Sequence, residues 1–438
     1  MKNSKYNFFI KKDDKTICFN GWSGKVFSVT HDELDIIQNV LKSSTSQEEN
    51  IRLTQWLAEH HFLEDENKDE SDQILKRNRS EVFDSKYHLI LNPTLECNFR
   101  CWYCYEQHPD GHMSPITMER IKKYVDRLIE DEKIQQFTLG WFGGEPLLYF
   151  DDIVYPLALH FKHTFSKLNL PFSQNMTTNG YSVDREMIKK FDEIDLHHFQ
   201  ITLDGDGETH NRTRNRQGEP SFDKILQNII DICSYLPESD VLLRVNFTNE
   251  IIAKDFTTIL EPIPLHIRSK IQIHFQRVWQ TFGTSAKSHD DIVRNISGLR
   301  DMGFSVVPDN YYTVKRSYRC YADRYNFAHI NYDGKVYKCT ARDYSDELSV
   351  GELADDGIIK WKPNIIEKMY ARPNFDNEQC MKCRLLPVCG GPCLQRKLDF
   401  NEGISNNICT GNSKEIDLNT FILEYYESVK KSNKILTV

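Results

Sequence analysis

The chain has no run of about 18 apolar residues, the length a membrane-crossing helix needs. Its N-terminus, Met1 to Lys12, has neither an apolar h-region nor a small-residue cleavage site. No membrane partner and a cytoplasmic location are therefore expected. Basic charge is scarce as well. Lys and Arg number 55 against 64 Asp and Glu, a net charge of -9. A broad nucleic-acid surface needs a basic excess, so no nucleic-acid partner is expected. The one local basic stretch, Arg212, Arg214 and Arg216, reads as a solvated loop.

Cysteine is plentiful: twelve occur in 438 residues. Disulfides are rare in a reducing compartment, so metal binding or catalysis becomes the leading explanation. Three cysteines cluster at Cys97, Cys101 and Cys104, seven more run from Cys320 to Cys409, and Cys18 and Cys233 stand alone. Cys233 shares an apolar helical face with Phe222, Leu226, Ile229 and Ile230, which makes it a core residue. Three thiolates in one short loop can hold three irons of a [4Fe–4S] cube and leave the fourth iron open to a cofactor. A zinc site with a distant fourth ligand remains an alternative on spacing alone.

Periodicity divides the chain. Residues 6–29 alternate apolar and polar, as two or three strands do. Thr30 to Glu33 forms a capping box before Leu34, Ile37, Val40 and Leu41 at helical spacing, and a second helix is expected over 48–59. Residues 1–63 thus suggest a small winged-helix-like unit. The charged residues 64–84 read as a linker. From there, six short apolar runs (87–91, 137–142, 172–176, 198–203, 241–247 and 271–275) alternate with amphipathic stretches. That pattern predicts a parallel α/β sheet over 85–310, two units short of a closed eight-unit barrel. Polar motifs follow four successive runs: Cys97 to Cys104, Gly143-Gly144-Glu145-Pro146, Thr177-Thr178-Asn179-Gly180 and Asp204-Gly205. Residues after parallel strands converge on one face, so these motifs point to one pocket.

The segment Cys97-Asn98-Phe99-Arg100-Cys101-Trp102-Tyr103-Cys104 resembles the signature of the radical S-adenosylmethionine (SAM) superfamily, which places an aromatic before the last cysteine. Gly143-Gly144-Glu145 is similar to the family's SAM-anchoring motif, and the likeness continues through Thr202, Asp204, His210 and Arg214. Thr202 stands where a serine is often found, a mild departure because the hydroxyl is kept. The resemblance implies a partial (β/α)6 barrel. It also implies a SAM-cleaving cluster on Cys97, Cys101 and Cys104, with cofactor contacts from Tyr103, Gly143, Gly144, Glu145, Thr202 and Arg214. The glycines would let backbone approach SAM closely. The implied chemistry is release of a 5′-deoxyadenosyl radical that takes hydrogen from a substrate.

The later cysteines, with Gly334 between the first two, resemble the SPASM domain of peptide-modifying radical SAM enzymes, over 311–438. That likeness implies two auxiliary [4Fe–4S] clusters: Cys320, Cys339 and Cys393 on the first, Cys380, Cys383, Cys389 and Cys409 on the second. Two departures matter. No eighth cysteine occurs in 321–338, which leaves the first cluster with an open iron or another ligand such as Asp323. Sulfatase-maturing relatives carry an aspartate after the hairpin's last cysteine, where this chain has Thr340, with Asp343 nearby.

Together these features lead to the expectation of an oxidoreductase that matures a ribosomally synthesised peptide through a thioether or carbon–carbon cross-link. Epimerisation and sulfatase-type formylglycine formation are the alternatives. Three [4Fe–4S] clusters and SAM are the expected cofactors. A precursor peptide, whose leader binds residues 1–63, and a flavodoxin- or ferredoxin-like electron donor are the expected partners. The general base stays unassigned.

Overall fold

In the computed structural model, residues 1–42, 51–281, 289–307, 314, 320–410 and 417–431 are described. The chain divides into two compact units, one made of 1–83, 309–325 and 368–438, the other of 84–308 and 326–367.

In the first unit, strands β1 (Asn7–Lys12), β2 (Lys15–Asn20) and β3 (Val26–Val29) form a three-stranded antiparallel sheet in that order. Helix α1 (His31–Lys42) follows the expected capping box: the Thr30 N–H donates to Glu33 Oε2 at 2.7 Å, and the Glu33 N–H donates to Thr30 Oγ1 at 3.4 Å. Helix α2 runs Ile51–Glu59; the first residues of the expected second helix lie outside the described residues. One sheet face packs Cys18, Phe27 and Val29 on Ile37, Leu41 and Leu57. The other packs Phe8, Ile17, Phe19 and Val26 on Val388, Phe421, Ile422 and Tyr426, which belong to the chain's far end. Residues 1–63 are therefore not self-contained. A two-layer unit of that size has one face left over, and here the C-terminal helix Leu418–Lys431 covers it. Phe421→Ala is expected to cost about 3 kcal/mol of stability, read as a lower midpoint in chemical denaturation.

The expected linker over 64–84 is corrected. Its centre is helix α3 (Glu70–Val82), started by Asp69, whose side chain accepts the Ser71 N–H at 2.9 Å. Its apolar residues are few but well placed: Ile74 and Val82 are buried, and Ile74 packs on Tyr6, Phe375 and Leu386. Composition alone hid the helix because tertiary burial, not propensity, stabilises it.

The second unit is built on one eleven-stranded sheet. Seven parallel strands follow in chain order: β4 (Lys86–Leu91), β5 (Gln136–Trp141), β6 (Phe172–Thr178), β7 (His198–Thr202), β8 (Asp240–Phe247), β9 (Ile271–Arg277) and β10 (Ser305–Val307). The six expected β/α units are present, and β10 is a seventh strand that three residues were too few to reveal. Helices between the strands cover the outer face. Ser114 caps the first of them, Pro115–Glu130, by accepting the Thr117 N–H at 3.1 Å. Phe137, Leu139 and Trp141 of β5 alternate with Thr138 and Gly140, so one face of each strand packs on helices and the other lines the barrel.

The barrel stays open. On the free side of β4 the sheet continues with β11 (Phe327–Ile330), parallel to β4, and then antiparallel β12 (Lys335–Tyr337), β13 (Gly351–Leu353) and β14 (Ile359–Trp361). The hairpin assigned from sequence to a separate domain over 311–438 is therefore a sheet extension of the barrel unit. Backbone pairing across β4 and β11 unites segments that lie far apart in sequence.

Candidate active site

Cys97, Cys101 and Cys104 lie in the loop after β4. Strand pairing fixes the loop from one side: Cys101 pairs with Arg214 and Arg100 with Asn215 in a two-stranded ribbon. The 94–96 segment fixes it from the other, accepting the Gly144 N–H on Thr94 O at 3.2 Å and the Glu145 N–H on Glu96 O at 2.9 Å. The two glycines owe their place to this approach. A Cβ on Gly144 would overlap the carbonyl oxygens of Leu95 and Glu96, and one on Gly143, at φ +102°, would overlap that of Thr94. The sequence reading gave both glycines to SAM; the structure shows that the neighbouring backbone already requires them.

Glu145 is fully buried. Its Oε1 accepts Thr178 Oγ1 at 2.7 Å and the Leu147 N–H at 3.0 Å, and its Oε2 accepts the Asn179 N–H at 2.7 Å. Burial raises its pKa, and these bonds and the Arg214 charge oppose that rise. A carboxylate has about four acceptor sites, so one remains for an ammonium group. Thr178 and Asn179 carry a role that the sequence marked only as a motif.

Arg214 is the charge centre of the site. Its guanidinium donates to Tyr103 Oη at 2.9 Å and lies 5.6 Å from the Phe99 ring centroid. Its charge bears on Cys97, Cys101, Cys104, Glu145 and Asp204. Tyr103 Oη donates to Asp204 Oδ2 and accepts Asn246 Nδ2 at 3.1 Å, while Asp204 Oδ1 accepts the Asn246 N–H at 2.7 Å. His210 Nδ1 accepts the Asp204 N–H at 3.1 Å, and burial pushes the ring down to about 3, which keeps it neutral. Asn246 carried no motif. Only the alternation along β8 aims it at Tyr103. Thr202, the last residue of β7, is buried and stands in strand register with Arg244.

Three observations test the fit of an iron–sulfur cluster and SAM. Burial, with Glu145 next, pushes the Cys97 thiol up to about 12, and burial and Glu106 push Cys104 to about 11, so thiolates here need a positive partner such as iron. Arg214 Nε is buried without a hydrogen-bond partner, a donor left over beside the three cysteines. The Phe99 N–H donates to Cys97 Sγ at 3.4 Å, and the same bond recurs from Leu385 to Cys383 and from Ala341 to Cys339, both at 3.4 Å. Such N–H···S bonds are among the features that tune iron–sulfur clusters. The residues fit the cluster.

Of the later cysteines, three in the first unit bear electrostatically on a fourth, Cys380. Cys380 feels the charges of Cys389, Cys383 and Cys409, and Asn377 accepts its N–H at 2.9 Å. Cys320 and Cys393 are tied within the same unit by buried Asp323. Asp323 follows the turn begun at Cys320, and its Oδ1 accepts the Leu394 N–H at 2.8 Å and Asn374 Nδ2 at 3.0 Å. Cys339 belongs to the second unit. There, the loops after Cys104 and Cys339 clasp each other. Tyr105 Oη donates to Thr340 O at 2.5 Å and Gln107 Nε2 to Asp343 Oδ2 at 3.2 Å. Cys18 and Cys233 are fully buried, Cys233 as a core residue as expected.

On the inner barrel face, His274 is buried beside Arg244, and burial followed by that charge pushes its ring down to about 3. The folded ring is neutral, while the unfolded one titrates near 6.5. Its contribution to stability is thus complete above that value and is lost as pH falls below it. At pH 5 the loss is about 2 kcal/mol. His274→Gln is expected to flatten the fall in melting temperature between pH 7 and pH 5; an unchanged slope would refute the assignment.

Residues 91–252 match the family model described as "Radical SAM superfamily". The chain thus contains a radical SAM domain. It is 28% identical over 374 residues to a serine-type anaerobic sulfatase-maturating enzyme of Bacteroides thetaiotaomicron, across 72% of this chain and 84% of that one. It is also similar to the radical SAM cyclopropyl synthase TigE of Paramaledivibacter caminithermalis (22% identical, 72% and 70% covered). The subtilosin biosynthesis protein AlbA of Bacillus subtilis is similar too (23% identical, 76% and 72% covered). Among solved structures, anSMEcpe with bound AdoMet superposes with a TM-score of 0.54 at 17% identity, over 80% of this chain and 96% of that one, a likeness of fold.

Proposed function

We propose that this protein is a radical SAM maturase that oxidises a ribosomally made peptide to a thioether or carbon–carbon cross-link. The observation that carries the reading is the convergence of Cys97, Cys101, Cys104 and Glu145 on one buried arginine, Arg214, with a second, four-cysteine group at Cys380. When bound, a reduced [4Fe–4S] cluster and SAM supply a 5′-deoxyadenosyl radical that removes hydrogen from a substrate carbon. The chain's own residues prepare that event. Glu145 keeps an acceptor site for the SAM ammonium, and Arg214 holds Tyr103 and steadies the thiolates. Auxiliary clusters on the later cysteines are suited to carry away the second electron of an oxidation. The similarity to TigE and AlbA supports a peptide substrate.

The leader of such a peptide is proposed to add a strand to an open edge of the three-stranded sheet, since both faces are occupied. A leader peptide bearing a photo-reactive residue is expected to cross-link to 26–29 or 7–12; cross-links confined to the second unit would refute this.

Co-expression with the peptide of a neighbouring short reading frame, with Cys97→Ala as control, tests the reaction. Loss of hydrogen pairs absent from the control supports cross-linking, and deuterium uptake at constant mass indicates epimerisation. No change in either removes the reading for that peptide. The sulfatase-type alternative has the similarity to a sulfatase-maturating enzyme in its favour, but Thr340 follows Cys339 and its hydroxyl is no base.

A further inference from the structure

Arg244 is a cation on the barrel's inner face that the site described above does not use. Along β8, Val241, Leu243, Val245 and Phe247 are buried under the helices, while Leu242, Arg244 and Asn246 are half-exposed on the opposite face. Arg244 stands in register with Thr202 on one side and His274 on the other. Its only hydrogen bond among the described residues runs from Nε to Asn246 Oδ1 at 2.8 Å, and it makes no ion pair there. Among the described residues neither terminal nitrogen has a partner. Asp204 is the carboxyl on which its charge bears, and both Asp204 oxygens are already engaged by Tyr103 and Asn246. His274 beside it is neutral and no counterion. A cation held in a partly dry barrel without a partner is costly unless a ligand brings the anion.

We propose that Arg244 is the anchor for a carboxylate of the substrate, the side chain of an Asp or Glu near the carbon to be modified. The inference rests on the peptide reading above. A guanidinium takes a carboxylate through two parallel bonds, which fixes orientation as well as position. SAM also carries a carboxylate, but the cation that bears on the cysteines and Glu145 is Arg214. Arg244 lies three strands from β5, whose following loop carries Glu145, roughly 14 Å at about 4.8 Å per strand.

Phenylglyoxal modification of the reconstituted holoenzyme under saturating SAM tests this, with Arg244 followed by peptide mass spectrometry. Arg212, exposed and paired with Glu250, is the internal reference. The probes are N-acetylglutamate N-methylamide and its glutamine isostere. At about twice its dissociation constant the glutamate probe is expected to slow modification of Arg244 roughly threefold, because the open fraction falls as 1/(1 + [L]/Kd). The glutamine probe is expected to leave the rate unchanged. Equal effects of the two probes, or none from either, overturn the proposal. So does full protection of Arg244 by SAM alone. Protection without any modified peptide in co-expression counts against the maturase reading only; a modified peptide without protection counts against the anchor only.

Discussion

On the proposed three-cluster reading, a Cys101→Ala protein is expected to hold about eight irons per chain against about twelve in the parent, and to form no 5′-deoxyadenosine from SAM under reducing conditions. Cys101 is the middle thiol of its loop and the one paired in the ribbon with Arg214. Removing its sulfur leaves two thiolates, too few for a cube, and leaves the buried Arg214 charge without its strongest anionic neighbour. The auxiliary cysteines lie in other segments, so their iron should survive. Cys383→Ala gives the complementary result: four irons lost, because Cys383 belongs to the group around Cys380, with SAM cleavage retained. Iron and sulfide analysis with electron paramagnetic resonance reads both. SAM cleavage surviving in Cys101→Ala would overturn the assignment of the loop, and zinc in place of iron would revive the mononuclear alternative.

The loop motifs and the parallel strands were legible because both are local. Cysteine spacing, the Gly-Gly-Glu run and period-two apolar runs need no knowledge of the rest of the chain. What stayed hidden depends on distant partners. Helix Glu70–Val82 contributes few apolar residues and is held by Tyr6, Phe375 and Leu386. Residues 1–63 looked complete because their own pattern cannot show that Phe421 and Ile422 cover the second sheet face. The hairpin at 327–337 joined the barrel sheet through pairing with Lys86–Leu91, a contact no motif announces. Arg244 and Asn246 differ from ordinary strand polar residues only in lying on the barrel's inner face. Fold class was therefore easier to read than domain boundaries, and cofactor ligands easier than the residues that position them.

Gly144→Ala is expected to cost about 3 kcal/mol of stability and to lower 5′-deoxyadenosine formation at least ~100-fold. The cause is steric, since Gly144 does not have a positive φ and alanine adopts its backbone without strain. The added methyl would occupy the space of the Leu95 and Glu96 carbonyl oxygens, which are backbone atoms and cannot swing aside. Relief requires the 94–96 segment to move away, which breaks the bonds from Gly144 N and Glu145 N and displaces Cys97, the next residue. Glu145 would shift from Thr178 and Asn179 in the same motion. The two explanations of this glycine separate here. If its only role were to admit SAM, the variant would fold and load iron normally and show a raised SAM dissociation constant alone. The backbone contact predicts lower stability and less iron before any SAM is added. Gly207→Ala is the matched control. A Cβ there meets only Phe222 at 3.6 Å, in the first turn of Gly207–Thr213, so stability should hold or rise slightly. Iron content of the two variants, measured without SAM, decides between a cofactor-driven and a fold-driven glycine.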